Sequence, residues 1–338
     1  MTPRTILGMT LYNNARHLRE ATDSILGQTD RDFMLLMLDD GSTSDVQSIA
    51  REYEQRDDRV RYFRHPQRRG MVPTWKEVAE IARREYPRAE FFAWVSDHDR
   101  WAPRWLTRMT AELEAHPGAV LAYPRTLRID EGGAFIDKEP RVFDTSGVRD
   151  ARDRWRRFCW AGFGSGDMVY GLMRMSALEA AGTFRSVLNP DRLLIAELSR
   201  QGGIRQVNEP LWYRRQSSAA SVTRQAASLF ADDTPPRFNW PPSLQHAIVL
   251  RQQGLGLWMI AEYVLASGWR SIRKTETSKS IGRGVDNLQF VKKLVKKAFH
   301  HAVYYTLVGA RTVAAKSRRV TRKAVYQVLM FTHRVGLR

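Results

Sequence analysis

The sequence predicts an α/β fold, a mostly parallel central sheet flanked by helices, with a basic helical region after it. Three features lead to this expectation. Short apolar runs alternate with helical faces over the first 125 residues, two of those runs end in acidic clusters (Asp39-Asp40-Gly41-Ser42 and Asp97-His98-Asp99), and positive charge is concentrated toward the end of the chain. Apolar runs of four to eight residues bounded by turn formers read as strands buried on both faces. Repeated strand, helix, strand units then require a parallel sheet with helical crossovers.

The first strand is Arg4 to Met9, followed by a helical face at Leu18, Ala21, Thr22, Ile25 and Leu26. Phe33 to Leu38 is the second strand, and Ser44 or Asp45 is placed to cap a helix with Val46, Ile49, Ala50 and Tyr53 on one side. Val60 to Arg64 alternates as a strand, and Trp75, Val78, Ala79 and Ala82 form the next helical face. Phe91 to Val95 is a further strand, Pro103 opens a helix bearing Leu106, Met109 and Leu113, and Ala119 to Tyr123 is the last clear strand. From Pro124 to about Arg224 the periodicity weakens, with turn signals at Glu131-Gly132-Gly133 and from Gly162 to Gly166. Loops covering the carboxyl edge of the sheet, and an acceptor site among them, are expected there. A helix is expected from Asp191 to Gln201, stopped by Gly202.

The formal net charge is +18, but residues 251 to 338 hold 18 Lys and Arg against Glu262, Glu276 and Asp286, so that stretch alone carries +15. A near-neutral front and a basic back imply two tasks, the second directed at something anionic. The Pro-rich stretch from Thr234 to Pro242 reads as a stiff linker. Residues 1–233 are therefore expected to form one domain, and 234–338 a linker plus a basic amphipathic helical region. Val291, Leu294, Val295, Ala298 and Phe299 share a helical face opposite Lys292, Lys293, Lys296 and Lys297, and Val320 to Leu329 repeat the pattern. Such helices lie on anionic lipid headgroups. Leu255 to Ala266 is too short and too interrupted by Glu262 to span a bilayer. The single cysteine, Cys159, permits no internal disulfide, and no secretory signal is visible. The expectation is a cytoplasmic protein held peripherally at the inner face of the cell membrane. The coherent apolar face of the tail favours lipid over nucleic acid, and no nucleic-acid partner is expected.

Both acidic clusters fall at strand carboxyl ends, where open parallel sheets bind ligands. One can accept hydrogen bonds from a base and ribose; the other has the Asp-x-Asp spacing whose hard oxygens suit Mg²⁺ or Mn²⁺. An Asp-Asp-Gly-Ser turn is also common loop chemistry, and an exposed acidic pair is commonly a solvated turn. The loop from Gly162 to Gly166 lacks Walker spacing, no zinc-spaced Cys and His set is present, and no nucleophile elbow supports Ser-His-Asp chemistry.

Thr10-Leu11-Tyr12-Asn13, Ser24-Ile25-Leu26-Gly27-Gln28-Thr29, Asp39-Asp40-Gly41-Ser42-Thr43 and Ser96-Asp97-His98-Asp99 together resemble family 2 glycosyltransferases of GT-A fold, a Rossmann-like architecture, over about residues 4 to 225. The resemblance implies a metal-dependent, inverting enzyme that moves a sugar from a nucleoside diphosphate sugar, expected to be UDP-linked, to a hydroxyl of a glycan or lipid-linked acceptor. It implies donor nucleotide binding by Thr10, Tyr12, Asp39, Asp40, Asp97 and Arg214, with Tyr12 stacking on a pyrimidine and Asp40 accepting from its ring N–H. Asp99, with Asp97, would hold Mg²⁺ or Mn²⁺, and His98 between them points the other way. Asp191 aligns with the second residue of the family's Glu-Asp pair and is the expected catalytic base, although Pro190 replaces the first; Glu197 is the second choice. A helix cap is the plainer reading of Asp191, and the two are compatible. The competing function class is a non-catalytic sugar-nucleotide or glycan-binding protein on the same fold, or a nucleic-acid binder acting through its tail.

Overall fold

The computed structural model describes residues 2–136, 141–162, 165–216, 229–230 and 240–279. The chain divides into two compact units, Met1–Ser267 and Gly268–Arg338. In the first, β1 (Thr5–Leu11), α1 (Leu18–Leu26), β2 (Phe33–Asp39), α2 (Val46–Arg56), β3 (Val60–Arg64), α3 (Met71–Glu85) and β4 (Phe91–Val95) follow in order. The short β5 (Arg100–Trp101), α4 (Trp105–Ala115), β6 (Ala119–Ile129) and β7 (Phe135–Ile136) come next. After them run α5 (Ala151–Ala161), α6 (Ser165–Met168), β8 (Leu172–Arg174), α7 (Met175–Ala181), α8 (Pro190–Gln201) and β9 (Gly203–Arg215). Helix α9 (Pro242–Gln252) and helix α10 (Leu257–Lys279) complete the described chain.

The described strands form one sheet in the order β3-β2-β1-β4-β8-β6-β9-β5, with β7 beside β6. Pairing is parallel for β1 with β2 and β4, β2 with β3, and β6 with β9; β8 runs antiparallel between β4 and β6. The period of two along β1 divides its side chains between two cores. Ile6 joins Trp75 and Val78 of α3 and Leu194 of α8 on one face, while Leu7, Met9 and Leu11 join Leu18 of α1 and Val46 of α2 on the other. Gly8 lies between α3 and β4. A Cβ there would stand 2.9 Å from the Phe92 ring and 3.0 Å from Val78, so the close approach of helix to sheet excludes a side chain.

The predicted strands and helices of the first 125 residues are present, most within a residue or two of the expected bounds. The loop-rich reading of the following hundred residues is corrected. β6 continues to Ile129, and α5, β8, α7, α8 and the 13-residue β9 fill the interval. Two causes hide them. β8 has three residues, and β9 alternates poorly because its pairing with β6 is interrupted by register shifts. The first unit also runs past residue 233, since Leu250 of α9 and Tyr263 and Ala266 of α10 pack into the core that holds Trp155 and Leu194. Most of the Pro-rich stretch and both basic amphipathic segments, 291–299 and 320–329, lie outside the described residues. Among the described residues no helix is long and apolar enough to cross a membrane.

Candidate active site

The carboxyl ends of β1, β2 and β4 carry three turns that interlock. After β1, Asn13 adopts a left-handed φ of 50°, and its side-chain oxygen accepts the Thr43 backbone N–H at 2.8 Å, while its own N–H reaches Ser42 Oγ at 3.0 Å. The next residue, Asn14, donates to Asp97 Oδ1 at 3.3 Å. The β1 turn thus ties the turn after β2 to the turn after β4. Tyr12 is 42% exposed above this junction, with the Arg68 guanidinium 4.7 Å from its ring centre. Thr10, half-buried on β1, stands two residues before it.

Asp39 and Asp40 have different surroundings from each other. Asp39 is fully buried: Oδ1 accepts the Ser42 N–H at 2.8 Å and Oδ2 accepts the Tyr62 hydroxyl at 2.8 Å. Its carboxylate closes the turn after β2. Asp40 accepts the Arg69 N–H at 2.7 Å on Oδ1 and the Gly70 N–H at 2.8 Å on Oδ2, with His65 Nδ1 3.1 Å from Oδ1. Burial pushes its carboxyl up, but the His65 ring and the two backbone N–H groups more than offset this, so Asp40 titrates below the ordinary carboxylate range. It anchors the loop that carries Arg68.

At the end of β4 the pair splits. Asp97 Oδ1 accepts from Asn14 and lies 2.6 Å from His98 Nδ1, and Oδ2 has no partner among the described residues. His98 bonds along the turn to Ser96 and Asp97. Burial opposes its protonation, yet the flanking Asp97 and Asp99 raise its pKa to about 9. Asp99 is 2% exposed and turns toward β9, where Oδ1 accepts the Arg215 backbone N–H at 2.8 Å and Oδ2 the Trp212 indole N–H at 3.2 Å. Burial pushes Asp99 upward, partly countered by His98 and the Arg215 N–H.

Across the cleft, Asp191 lies in the first turn of α8, after Asn189 at a left-handed φ of 51° and Pro190 at the first helical position. No side-chain cap bond is made at this helix start. Instead Asp191 Oδ2 accepts the Ser165 hydroxyl of α6 at 2.9 Å. Arg214 of β9 donates from Nη1 to Asp167 Oδ1 at 2.6 Å and to the Gly166 carbonyl at 2.9 Å, with its guanidinium 5.5 Å from the Trp212 ring centre. Asp167, 3% exposed, also accepts Arg128 Nη2 on both oxygens at 2.8 Å. Sequence reasoning missed Asp167, because a single acid in a Gly-rich loop carries no pattern.

The buried Tyr170 hydroxyl lies near the same charged groups. Burial pushes it up, Arg214 pulls it down, and Asp99, Asp97 and Asp191 push it further up. Geometry links these groups through Arg214: its guanidinium faces the Trp212 ring whose indole N–H reaches Asp99, and a Cβ on Gly166 would stand 3.6 Å from both Arg214 Nη1 and Asp191 Oδ2, while Tyr12 is tied to Asp97 through the turn that holds Asn14. Asp39 and Asp40 stand behind the cleft, with their oxygens directed into the protein. Glu197 is not in the cleft: it is buried mid-helix, with Arg185 Nη2 3.8 Å from its Oε1.

Among the described residues no group of three or more His, Cys, Asp or Glu could hold a metal. Mg²⁺ in nucleotide sites is commonly held by one or two carboxylates together with substrate phosphates. Oδ2 of Asp97, without a partner among the described residues, fits that mode, whereas both Asp99 oxygens already serve β9.

An α/β protein with an acidic and aromatic cleft at the carboxyl ends of its parallel strands is the class so defined. Residues 7–170 match the family described as glycosyl transferase family 2. MJ1057 of Methanocaldococcus jannaschii, named an uncharacterized glycosyltransferase, is 26% identical over 136 residues, which is 40% of this chain and 45% of that protein. The chain spans less than half the length of the curated relatives it matches. Among solved structures, S. aureus TarS 1–349 in complex with UDP-GlcNAc is similar with a TM-score of 0.57 at 12% identity, over 78% of this chain and 72% of that one. TarS 1–349 crystallised without that ligand gives 0.56 at 14% identity, over 78% and 71%. The fold is the expected GT-A fold.

Proposed function

We propose that the chain is an inverting glycosyltransferase that takes a UDP-linked sugar and transfers it to a hydroxyl of a glycan or lipid-linked acceptor. The observation that carries this reading is that Asp191 Oδ2 and Arg214 Nη1 stand within 3.6 Å of one point at Gly166, in a chain whose residues 7–170 match glycosyl transferase family 2. In the transfer, the acceptor oxygen bonds to the anomeric carbon as its proton passes to Asp191, and the bond from that carbon to the diphosphate oxygen breaks with its electron pair leaving on the nucleoside diphosphate. Tyr12 offers an exposed ring for the base, and the UDP-GlcNAc bound by TarS supports a uridine donor. Arg214 supplies positive charge where the leaving diphosphate gains negative charge. A bound Mg²⁺ or Mn²⁺ would be held by Asp97 and the diphosphate, and would add charge neutralisation there.

The site of action in this reading is the inner face of the cell membrane, with the protein held peripherally through the basic stretch, which confines it near a lipid-anchored acceptor. Removal of residues 280–338 is expected to release the protein from membrane fractions; retention in them would remove the support for this part.

The decisive experiment is a thermal-shift screen of UDP-, GDP-, CDP- and dTDP-sugars with and without Mn²⁺, followed by UDP-release assays on Asp191→Asn. A UDP-sugar is expected to stabilise the folded state by mass action, and Asp191→Asn to bind it normally while losing turnover. Turnover at the parental rate in Asp191→Asn would refute the assignment of the base.

A further inference from the structure

Helix α9 lies outside the stretch that matches the family, yet its side chains hold the segment that leads into Asp191. Two consecutive residues grip both backbone polar groups of Leu188: its N–H donates to Gln245 Oε1 at 3.0 Å, and its carbonyl lies 2.6 Å from His246 Nε2. Both side chains belong to buried residues, Gln245 at 3% and His246 at 1% exposure. A carbonyl only accepts, so Nε2 carries the proton, and Nδ1, left with its lone pair, accepts the Tyr263 hydroxyl of α10 at 2.6 Å. Burial pulls the imidazole down to about 4, against the Leu188 carbonyl, so the ring is neutral in this tautomer. The Gln245 amide is oriented in the same way, since its Nε2 donates to the Trp240 carbonyl at 2.8 Å. The Tyr263 ring centre also lies 6.0 Å from the guanidinium of Arg192, the residue after Asp191.

Leu188 is followed by Asn189, at its left-handed φ of 51°, and then by Pro190. A non-glycine residue is disfavoured in that region and persists where its neighbours over-determine it. Beyond this corner the Asn189 carbonyl accepts the Arg192 and Leu193 N–H groups and opens α8. The direction in which α8 leaves the corner sets where Asp191 stands. We infer that Gln245 and His246 are positioning residues for Asp191: by fixing Leu188 from α9 they hold the Asn189 corner, and with it the first turn of α8. This rests on the reading of Asp191 as the base. An apolar pair of similar volume would fill the same space, but would leave the Leu188 N–H and carbonyl unpaired and the corner free to relax. The helices after the Pro-rich stretch are thus part of the machinery that aims the base, and not an appendage to it.

The test uses the full chain and compares His246→Phe, His246→Gln, Gln245→Met and Asp191→Asn with the parent, with UDP-GlcNAc as donor, water as acceptor and UDP release as the readout. UDP binding by calorimetry, the thermal midpoint and amide exchange over residues 188–193 are measured for each. His246→Phe and Gln245→Met are expected to lower kcat about tenfold or more, with KM for UDP-GlcNAc and UDP affinity at the parental values and faster exchange of the Arg192 and Leu193 amides. His246→Gln, whose amide N–H can reach the Leu188 carbonyl, is expected to recover most of the loss. Added to Asp191→Asn, His246→Phe is expected to lower the rate no further, because both changes act on the same group. Parental kcat in His246→Phe and Gln245→Met beside an inactive Asp191→Asn would overturn the inference and leave the base in place. A fall in kcat matched by an equal loss of UDP affinity would overturn it too, as a general loss of folded protein. Parental turnover in Asp191→Asn would instead sink the reading of the base. Should His246→Phe fail to fold, Gln245→Met carries the comparison, and should the parent release no UDP, the exchange decides: unchanged protection of Arg192 and Leu193 in these variants means that α9 does not hold the corner.

Discussion

Asp99→Asn separates two roles for the acidic pair after β4. In the structure Asp99 is 2% exposed and accepts two N–H groups from β9, the Trp212 indole and the Arg215 backbone. Asparagine is the same size but offers one acceptor oxygen and one NH₂. Whichever way the amide turns, one N–H of β9 then faces another donor in a site closed to water. One hydrogen bond to a carboxylate, on the order of 1.5–3 kcal/mol, is lost, and the stranded donor costs about 1–3 kcal/mol. Burial holds the Asp99 carboxyl above its ordinary range, so relief of the buried charge returns part of this. A net destabilisation of about 2–4 kcal/mol is expected. For a unit of this size that corresponds to a fall of roughly 5–8 °C in the thermal midpoint. The assay is urea denaturation followed by tryptophan fluorescence, in EDTA and without any nucleotide, so that no metal or donor contributes. A loss below about 0.5 kcal/mol in EDTA, together with loss of a Mn²⁺-dependent signal, would show that Asp99 serves a cation and that its bonds to β9 are incidental.

The remaining expectations are read by direct measurements. Tyr12→Ala removes the exposed ring above the cleft and is expected to weaken UDP binding in calorimetry by about 1–3 kcal/mol, while Tyr12→Phe keeps it; equal affinity in all three places the base elsewhere. Asp167→Asn leaves Arg128 and Arg214 without their shared buried anion and is expected to cost about 3–5 kcal/mol in denaturation. Glu197 is 1% exposed, and burial, only partly offset by Arg185 and Gln253, pushes its carboxyl up to about 7. Because the folded-state pKa is raised, the stability it contributes is full below the ordinary Glu range and is lost as pH rises through about 7. Glu197→Gln is expected to flatten the pH dependence of the thermal midpoint between the ordinary Glu range and about pH 7; an unchanged slope would mean that another group sets it.

The front of the fold was legible because its strands are buried on both faces and so appear as continuous apolar runs, as in Phe91–Val95, all five residues of which are buried. The acidic turns were legible from type and spacing, but their division of labour was not. Asp39, Asp40 and Asp99 face inward to Tyr62, to the Arg69 and Gly70 amides and to β9. Asp97 alone of the four has an oxygen without a partner among the described residues. Sequence spacing sets which residues share a turn. It does not set which N–H groups from elsewhere in the chain reach them, and those partners lie up to 116 positions away. α5, β8 and β9 were illegible for a related reason. Their stability comes from pairing and packing with distant elements, not from local periodicity, and β8 exists as a strand because β4 and β6 flank it on both sides.

The family match ends at residue 170, yet Asp191 and Arg214 lie beyond it, and the structure explains why the two stretches form one machine. Arg215 collects the pieces. Its backbone N–H is bound by Asp99, its Nε by the His98 carbonyl and its Nη1 by the carbonyls of Asp130 and Glu131, while Nη2 pairs with Glu20 of α1. One side chain with 3% exposure thereby fixes the β4 turn, the turn between β6 and β7 and the first helix relative to β9. Arg214, the adjacent residue, points to the opposite side of the strand, as the period of two requires, and there meets Asp167 and the Gly166 carbonyl. The registration that seats Arg215 is thus the registration that holds Arg214 against Asp167 and the Gly166 carbonyl. A shift of β9 by one residue exchanges the two arginines and breaks both sides at once. That constraint accounts for the placement of Asp99, which is more useful to this cleft as the anchor of β9 than as a group facing the substrate.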